Sequence, residues 1–402
     1  RLSGPLPEEL GRLSQLGSLW INENELEGPL PDSLGELRRL RELVAYNNRF
    51  GGAIPLSVGS LRELRLLMLD RNSLQGTIPS GIFTLPHVRD LLLFNNSFHQ
   101  LGSADWRAMT SLRVAMLQNN PHMEGTMPLL PQSIEKIDLR NCRLRGGIPD
   151  GWDPLPHLRA LALGGPPGGR LMQNCSTWAR RPGACGGGGP VGSLDLPTLT
   201  ILDVSGLPLA CPAHVFFQAF GRSPLSTVLA QNAQLSGILD HASFHTWYAS
   251  GSGCFQGPAP AYETLSHLDL SGNGLTAARW GLFPTERPPP ALQVLSLTDN
   301  VLRDVDPEWL SPPYVSLTGN PLLRMKLPPS GSAEACALFW RRHHNGMRWA
   351  SDSAWNPCLA RPPPGSRCAD GLEGFVEPPG GLAAAAPRRV WVDPSSFGDG
   401  WS

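Results

Sequence analysis

The sequence has little lysine, no long apolar run and no excess of charge. Only Lys136 and Lys326 accompany arginine among the 33 basic residues, and the formal net charge is −1. This balance gives no general attraction to nucleic acid or to an anionic membrane surface. No stretch of 18 apolar residues occurs, so the sequence predicts no membrane-spanning helix.

Recognisable catalytic motifs are also missing. The chain has no G-x-S-x-G, H-E-x-x-H, phosphate-binding loop or dinucleotide fingerprint. Its glycine run at 186–189 lacks the lysine and the following helix of a phosphate loop, and its carboxylates form no obvious acid–base pair. We therefore predict a protein that binds rather than catalyses, with no cofactor and no metal.

What the sequence does contain is a strict period. Asparagine recurs every 24 residues, within stretches that nearly repeat each other. A fixed period of this length indicates one structural unit stacked on copies of itself, so the chain grows by addition and needs no central core. The first five asparagines of the series are Asn24, Asn48, Asn72, Asn96 and Asn120.

The repeat reads L-x-x-L-x-L-x-x-N-x-L-x-G-x-I-P. Leucines in L-x-L alternate across a short strand and point inward. The asparagine amide turns inward and bonds backbone groups of neighbouring turns, and glycine and proline turn the chain back. One repeat fills every position, with Leu64, Leu67, Leu69, Asn72, Leu74, Gly76, Ile78 and Pro79.

This pattern resembles the leucine-rich repeat family, and G-x-I-P at that place resembles its plant-specific class. The resemblance covers residues 1–325. It implies a leucine-rich-repeat solenoid, a curved right-handed superhelix with a parallel β-sheet on the concave face and loops or short helical turns on the convex face. The G-x-I-P class adds a second short strand to each repeat.

Continuing the series gives twelve turns and a partial one before them. Pro166, Leu207 and Ala233 replace asparagine in the middle turns, which predicts a broken ladder and local distortion between about residues 160 and 240. Insertions near 166–197 and 240–263 should loop out, either as binding loops or as disulfide-stapled exposed loops. Cys142 at this position predicts a buried thiol, and the later ladder residues are Asn273, Asn300 and Asn320.

Alternation also identifies the residues that face solvent on the concave sheet. The position between the two leucines carries five consecutive large apolar residues, which we name the apolar strip: Trp20, Val44, Met68, Leu92 and Met116. The outward column two residues further on contains Tyr46, Asp70, Phe94, Gln118 and Arg140. With strands about 4.8 Å apart, the strip is roughly 20 Å long and predicts an interaction surface, unless a neighbouring segment covers it.

A column of arginines borders this strip. It is either a solvated flank or a grip for an anionic partner such as an acidic peptide or a uronic-acid glycan. Asn95, in an Asn-x-Ser glycosylation triplet, would place a sugar beside Phe94, and Asn174 begins a second triplet. The column consists of Arg41, Arg65, Arg89, Arg113 and Arg159.

The eight cysteines include two close pairs, Cys175 with Cys185 and Cys358 with Cys368. Close pairs in glycine- and proline-rich stretches predict disulfides and an oxidising, secretory location. After residue 325 the repeat ends in a cysteine-containing cap and a Pro/Gly-rich tail at 326–402. This segment is either an ordinary C-terminal cap or, by its resemblance to the cap that precedes plant-type repeats, the start of a second array. His343 and His344 near cysteines fit no zinc-ligand spacing.

We therefore expect a non-catalytic extracellular module at the cell surface that recognises a protein, peptide or glycan on its concave face. It would belong to a larger chain or assembly and would bind no nucleic acid. Two alternatives stay open: a structural subunit of a cell-wall, filament or other extracellular assembly, and a secreted inhibitor of a wall-degrading enzyme. Within the family, the chain is similar to receptor-like protein ectodomains and polygalacturonase-inhibitor-type proteins.

Overall fold

The computed structural model describes residues 1–149, 152, 155–165, 194, 196–250, 253–279, 288–306, 309 and 311–323, with the backbone alone at 241–242, 245–250 and 253–258. Within these residues, twelve short strands form one parallel sheet in which each strand pairs with the strand of the next turn. In order they are β2 (Ser18–Trp20), β4 (Glu42–Val44), β6 (Leu66–Met68), β8 (Asp90–Leu92), β10 (Val114–Met116), β12 (Lys136–Asp138), β14 (Ala160–Ala162), β15 (Ile201–Asp203), β16 (Thr227–Leu229), β20 (His267–Asp269), β22 (Val294–Ser296) and β24 (Tyr314–Ser316).

A second parallel sheet runs beside the first and contains the residues that follow each ladder position. Its seven strands are β1 (Ser3–Gly4), β3 (Glu25–Pro29), β5 (Arg49–Gly52), β7 (Ser73–Thr77), β9 (Ser97–Gln100), β11 (Asn120–Thr126) and β13 (Cys142–Arg145). Three later strands, β17 (Ser236–Leu239), β21 (Gly274–Ala278) and β23 (Asp304–Val305), form a separate parallel sheet.

Short helical turns complete the repeats on the other side. The 3₁₀ helices span Glu8–Arg12, Asp32–Glu36, Leu56–Ser60, Ser80–Thr84 and His241–Phe244, and the α-helices are α1 (Ala213–Ala219) and α2 (Pro260–Thr264). The first four 3₁₀ helices each follow a proline, whose fixed φ sets the entry of the chain. These helices stack closely because glycine lacks a Cβ atom at the points of contact. A Cβ at Gly35 would lie only 2.4 Å from Ser57 Cβ, and a Cβ at Gly59 would lie only 2.9 Å from Gly81 Cα.

The core lies between the sheets and the helical turns. The middle residue of nearly every strand in the large sheet is buried, as are the leucines of the helical turns. Removing one such side chain from water contributes roughly 1.5–3 kcal/mol. Phe83 and Trp106 stack in this core with centroids 4.8 Å apart, so aromatic rings fill the stack between adjacent turns.

Between about residues 160 and 240 the large sheet continues without a register shift. β14, β15 and β16 pair residue for residue, and β16 then pairs with β20. The expected distortion is therefore wrong for this sheet, because backbone hydrogen bonds hold the strands whether or not asparagine follows them. Among the described residues, the second sheet stops at β13 and a new one begins at β17.

Both insertions lie partly outside the described residues. Most of 166–197 lies outside the described residues. The segment at 240–263 contains an antiparallel hairpin of β18 (His245–Ser250) and β19 (Gly253–Pro258), followed by α2. The residues 326–402, including His343, His344, Cys358 and Cys368, lie outside the described residues.

Candidate functional site

The ladder asparagines hold successive turns in register. Asn72 Nδ2 donates to the carbonyl oxygens of Ala45 at 3.0 Å and Leu69 at 3.1 Å, while its Oδ1 accepts the Phe50 N–H at 3.1 Å. Each ladder residue is preceded by one with positive φ, a region that asparagine and glycine tolerate best. The same bond to the preceding turn is made by Asn48, Asn96, Asn120, Asn273, Asn300 and Asn320, while Asn24, in the first full turn, bonds its own turn and Leu2 N–H.

Cys142 takes the place of asparagine in this ladder. Its thiol is free, only 3% exposed, and donates to the Leu117 carbonyl oxygen at 3.4 Å. Burial raises the pKa of this thiol to about 12. Cys142 is therefore a neutral core thiol near pH 7, as its repeat position suggested.

The large sheet has an outer face, defined by the strand residues that alternate with the buried leucines. Its pairing aligns the five residues of the apolar strip across five adjacent strands. Trp20 is 67% exposed, whereas Met68 and Leu92 are half-buried. This part of the strip faces solvent as the alternation predicted.

Val44 and Met116 differ from that expectation, since only 5% and 6% of their surfaces are exposed. Val44 is a short side chain between Trp20 and Met68 on the paired strands, and the longer neighbours shield it. Met116 lies between Leu92 and Asp138. Side chains on adjacent strands lie close enough to cover one another, so an outward direction did not guarantee exposure.

The second outward column brings aromatic and polar groups together. Tyr46 and Phe94 are half-buried. The Tyr46 hydroxyl donates to Glu23 Oε1 at 3.0 Å, and this hydrogen bond, followed by burial, raises the pKa of Tyr46. The guanidinium carbon of Arg71 lies 5.6 Å from the centre of the Phe94 ring, within the range of a cation–π contact.

Asp70 lies between these two aromatics in the column, and it is buried rather than solvated. Only 3% of its surface is exposed, because its neighbours on the paired turns are Tyr46 and Phe94. Its Oδ1 has no hydrogen-bond partner. Burial raises the pKa of Asp70 to about 6, and a backbone hydrogen bond and the charge of Arg71 oppose that shift. Asp70 thus lies in the predicted outward column but is covered by its neighbours.

Gln118 stands two turns beyond Asp70 in the same column. It is half-buried, and its Oε1 is inaccessible and without a hydrogen-bond partner. Strand spacing places it roughly 10 Å from Asp70. Two unpartnered acceptors therefore lie along one line of the outer face, with the Phe94 ring between them.

Arg140, the last predicted residue of this column, belongs to an ion cluster. Its guanidinium binds Asp138 at 2.7 Å and Asp203 at 3.2 Å. Asp138 is fully buried and Asp203 is 5% exposed. Arg140 thus neutralises two buried carboxylates, which is a structural use of the side chain.

Beyond this cluster the outer face changes to hydroxyl groups, a feature that the sequence analysis did not single out. Ser271 and Ser296 oxygens lie 2.7 Å apart, and Thr298 and Ser316 oxygens lie 2.8 Å apart. Applying the same alternation to the later repeats would have found them. The apolar strip is therefore confined to the first five strands.

The arginine column lies at the entry to the strands, and all five members are exposed. Backbone hydrogen bonds connect successive members of the column, since the Arg65 N–H donates to the Arg41 carbonyl oxygen and the Arg89 N–H donates to the Arg65 carbonyl oxygen. Arg41 lies 3.9 Å from Glu63, and Arg113 lies 3.6 Å from Glu135. Two of these arginines thus already have carboxylate neighbours.

Of the predicted glycosylation and disulfide residues, only Asn95 lies within the described residues. Asn95 is exposed, has a φ of 53°, and its Oδ1 accepts from Asn119 Nδ2 at 2.8 Å. Asn174, Cys175 and Cys185 lie outside the described residues. Cys211 was not singled out from the sequence, and it is disulfide-bonded.

In the part of the chain that the structure describes, no three His, Cys, Asp or Glu residues come together in a way that could hold a metal ion. Over those residues there is also no helix with the length and hydropathy needed to cross a membrane.

Comparison with known proteins identifies the repeat. Residues 133–155 match the family model of the Leucine Rich Repeat. No curated protein gives a significant match to the chain.

Solved structures share the fold at low identity. The leucine-rich repeat ectodomain of the Arabidopsis receptor kinase HAESA, in complex with an N-terminally extended IDA peptide hormone ligand, is 22% identical, with a TM-score of 0.56 over 81% of this chain and 53% of that one. A TDR receptor is 24% identical, with a TM-score of 0.54 over 79% and 54%. The PEPR1–AtPEP1 structure is 21% identical, with a TM-score of 0.52 over 81% and 40%.

This chain spans 40% to 54% of the length of those structures. Identity below 25% speaks for the fold only. Together with the matched repeat, the asparagine ladder and the continuous parallel sheet, it gives a single conclusion. The chain contains leucine-rich repeats and folds as a leucine-rich repeat solenoid.

Proposed function

We propose that this solenoid is a non-catalytic, extracellular recognition module that binds an extended peptide or protein segment across the apolar strip. The observation that carries the proposal is the strip itself, with Trp20 67% exposed and Met68 and Leu92 half-buried on one continuous face. Contiguous apolar surface of this kind marks interaction sites. Tyr46 and Phe94 add rigid aromatic area beside it.

Four further observations support the proposal. The HAESA ectodomain, which shares this fold, is described with a peptide hormone bound. The disulfide at Cys211 fits an oxidising, extracellular location, as does the exposed glycosylation triplet at Asn95. The G-x-I-P residues fit the plant-specific class of the family, in which the second strand of each repeat is expected.

A defined binding experiment tests this function. A library of random peptides displayed on phage would be selected against the wild-type protein and against a Met68→Asp, Leu92→Asp variant. We expect selected peptides to bind the variant at least tenfold more weakly, because two carboxylates replace half-buried apolar surface in the centre of the strip.

The control is Leu56→Asp, which adds a carboxylate at a side chain that is 81% exposed in the 3₁₀ helix Leu56–Ser60, away from the large sheet. It should bind like wild type. Circular dichroism and urea denaturation would show that the variants remain folded. Equal binding by the wild type and the strip variant, or a library that yields no binder, would overturn the proposal.

A further inference from the structure

Asp70 lies in the middle of the proposed binding face, and its buried Oδ1 has no hydrogen-bond partner. Three other acidic groups on or beside this face have side-chain partners. Glu23 accepts from Tyr46, Glu42 accepts from Trp20 Nε1 at 2.9 Å, and Asp138 binds Arg140. These groups have side-chain donors, whereas the Asp70 carboxylate has a backbone hydrogen bond and an Oδ1 that no donor reaches.

A carboxylate at 3% exposure with one oxygen unpartnered is unfavourable to folding, because the backbone hydrogen bond to Asp70 compensates only part of the cost of burying the charge. The nearest cation does not offset this cost with an ion pair. Arg71 follows Asp70 in sequence, yet its guanidinium lies over the Phe94 ring, and no ion pair joins Arg71 to Asp70 in the described residues. A group of this kind has unused capacity to bind a ligand.

We propose that Asp70 is the acceptor for a lysine or arginine side chain of the bound segment, with Gln118 as a second acceptor further along the same line. This inference rests on the proposed function and names the chemistry of its ligand. A basic side chain satisfies the Asp70 carboxylate through a charge-assisted hydrogen bond. The rings of Tyr46 and Phe94 on either side favour a cation as well.

The geometry also sets the spacing within the ligand. The two acceptors lie roughly 10 Å apart, which an extended chain covers in about three residues. The half-buried rings of Tyr46 and Phe94 lie on either side of Asp70. In this proposal a rotation of one ring exposes the carboxylate to the ligand, and side chains at a surface change rotamer within nanoseconds. The ligand is therefore a segment with one basic residue among apolar ones, and with a further donor about three residues away.

The test uses the peptides selected by wild-type protein from the random display library. We expect enrichment of a single lysine or arginine flanked by apolar residues. A synthetic peptide from this group should bind Asp70→Asn at least tenfold more weakly than wild type. Changing its basic residue to norleucine should produce a similar loss with wild type and little further loss with Asp70→Asn.

The matched control is Asp90→Asn, which removes a carboxylate from strand β8 on the same face but outside the column. It should bind the peptide like wild type. Selected peptides without a basic residue, acidic peptides whose binding depends on the arginine column, or equal affinity for wild type and Asp70→Asn would each overturn this inference while leaving the proposed function standing. A failure to select any binder would remove both.

Discussion

Replacing Asp70 with asparagine should make the protein more stable near neutral pH. Asparagine keeps the size of the side chain and cannot ionise. The wild-type carboxylate is 3% exposed, and burial raises its pKa from 3.8 to about 6. The substitution therefore removes a charge that the folded state accommodates poorly.

Proton linkage gives the direction in which the free energy of unfolding changes with pH. Between pH 3.8 and about 6 the folded protein keeps a proton on Asp70 that the unfolded chain has released. The free energy of unfolding therefore falls as the pH rises through that window, and this contribution is constant above it. Since one pH unit corresponds to 1.36 kcal/mol, the penalty near neutral pH is about 3 kcal/mol.

Groups around Asp70 do not obscure this effect. The raised pKa of Tyr46 keeps its hydroxyl neutral over the window. Every other titrating group is common to wild type and Asp70→Asn. Its contribution therefore cancels in the difference between the two proteins.

The assay is urea denaturation of both proteins at several pH values from 4 to 7.5, followed by circular dichroism. Asp70→Asn should exceed wild type by about 3 kcal/mol at pH 7.5, with the difference shrinking toward zero near pH 4. A difference that does not vary with pH, or an Asp70→Asn protein that is less stable at pH 7.5, would refute the assignment of a buried, unpaired carboxylate.

Asp105→Asn supplies a control of opposite sign. Hydrogen bonds from Arg107 lower the pKa of Asp105 to about 2, so its stabilising contribution is present above pH 3.8 and is lost as the pH falls through about 2. Asp105→Asn should be less stable than wild type at pH 7.5. Because this pair is exposed, the loss should stay below about 1 kcal/mol.

Two further predictions concern the ladder and the ion cluster. Asn96→Ala should lower the free energy of unfolding by about 2 to 4 kcal/mol, because three backbone groups lose a buried partner. Asn95→Gly, which keeps the positive φ, should change it by less than about 0.5 kcal/mol; similar losses in the two would contradict the ladder's role. Arg140→Met should cost about 3 to 5 kcal/mol by leaving Asp138 buried and unpaired, whereas Arg113→Met, which removes an exposed pair, should cost less than about 1 kcal/mol. Urea denaturation measures the free energy of unfolding of all four variants. Equal losses for Arg140→Met and Arg113→Met would show that the Arg140 cluster does not stabilise the fold.

The sequence predicted the direction of the strand side chains better than it predicted their exposure. Alternation in L-x-L correctly assigned Trp20 and Met68 to the outer side of the sheet, because side-chain direction in a strand depends only on sequence parity. It could not assign exposure at Val44, since burial there depends on the lengths of side chains one period away. The prediction of the apolar strip was therefore correct for the direction of its side chains, but it included residues that are buried.

Polar residues show the same limit more strongly. Asp70 and Arg140 occupy equivalent repeat positions, and the pattern placed both in the outward column. Arg140 forms an ion pair with Asp203, which is 63 residues away in the chain, whereas Asp70 lies between two aromatic rings and forms no ion pair among the described residues. Neither environment can be read from the repeat containing the residue.

The sequence by itself determined the solenoid, its inward leucines and the asparagine positions, because a repeated unit of fixed length can bury its apolar residues only by stacking on itself. Only the tertiary structure decided which outward side chains are covered, which charges are paired and where the second sheet is interrupted. Most of these properties arise from contacts between turns, which join residues about one period or more apart in the chain.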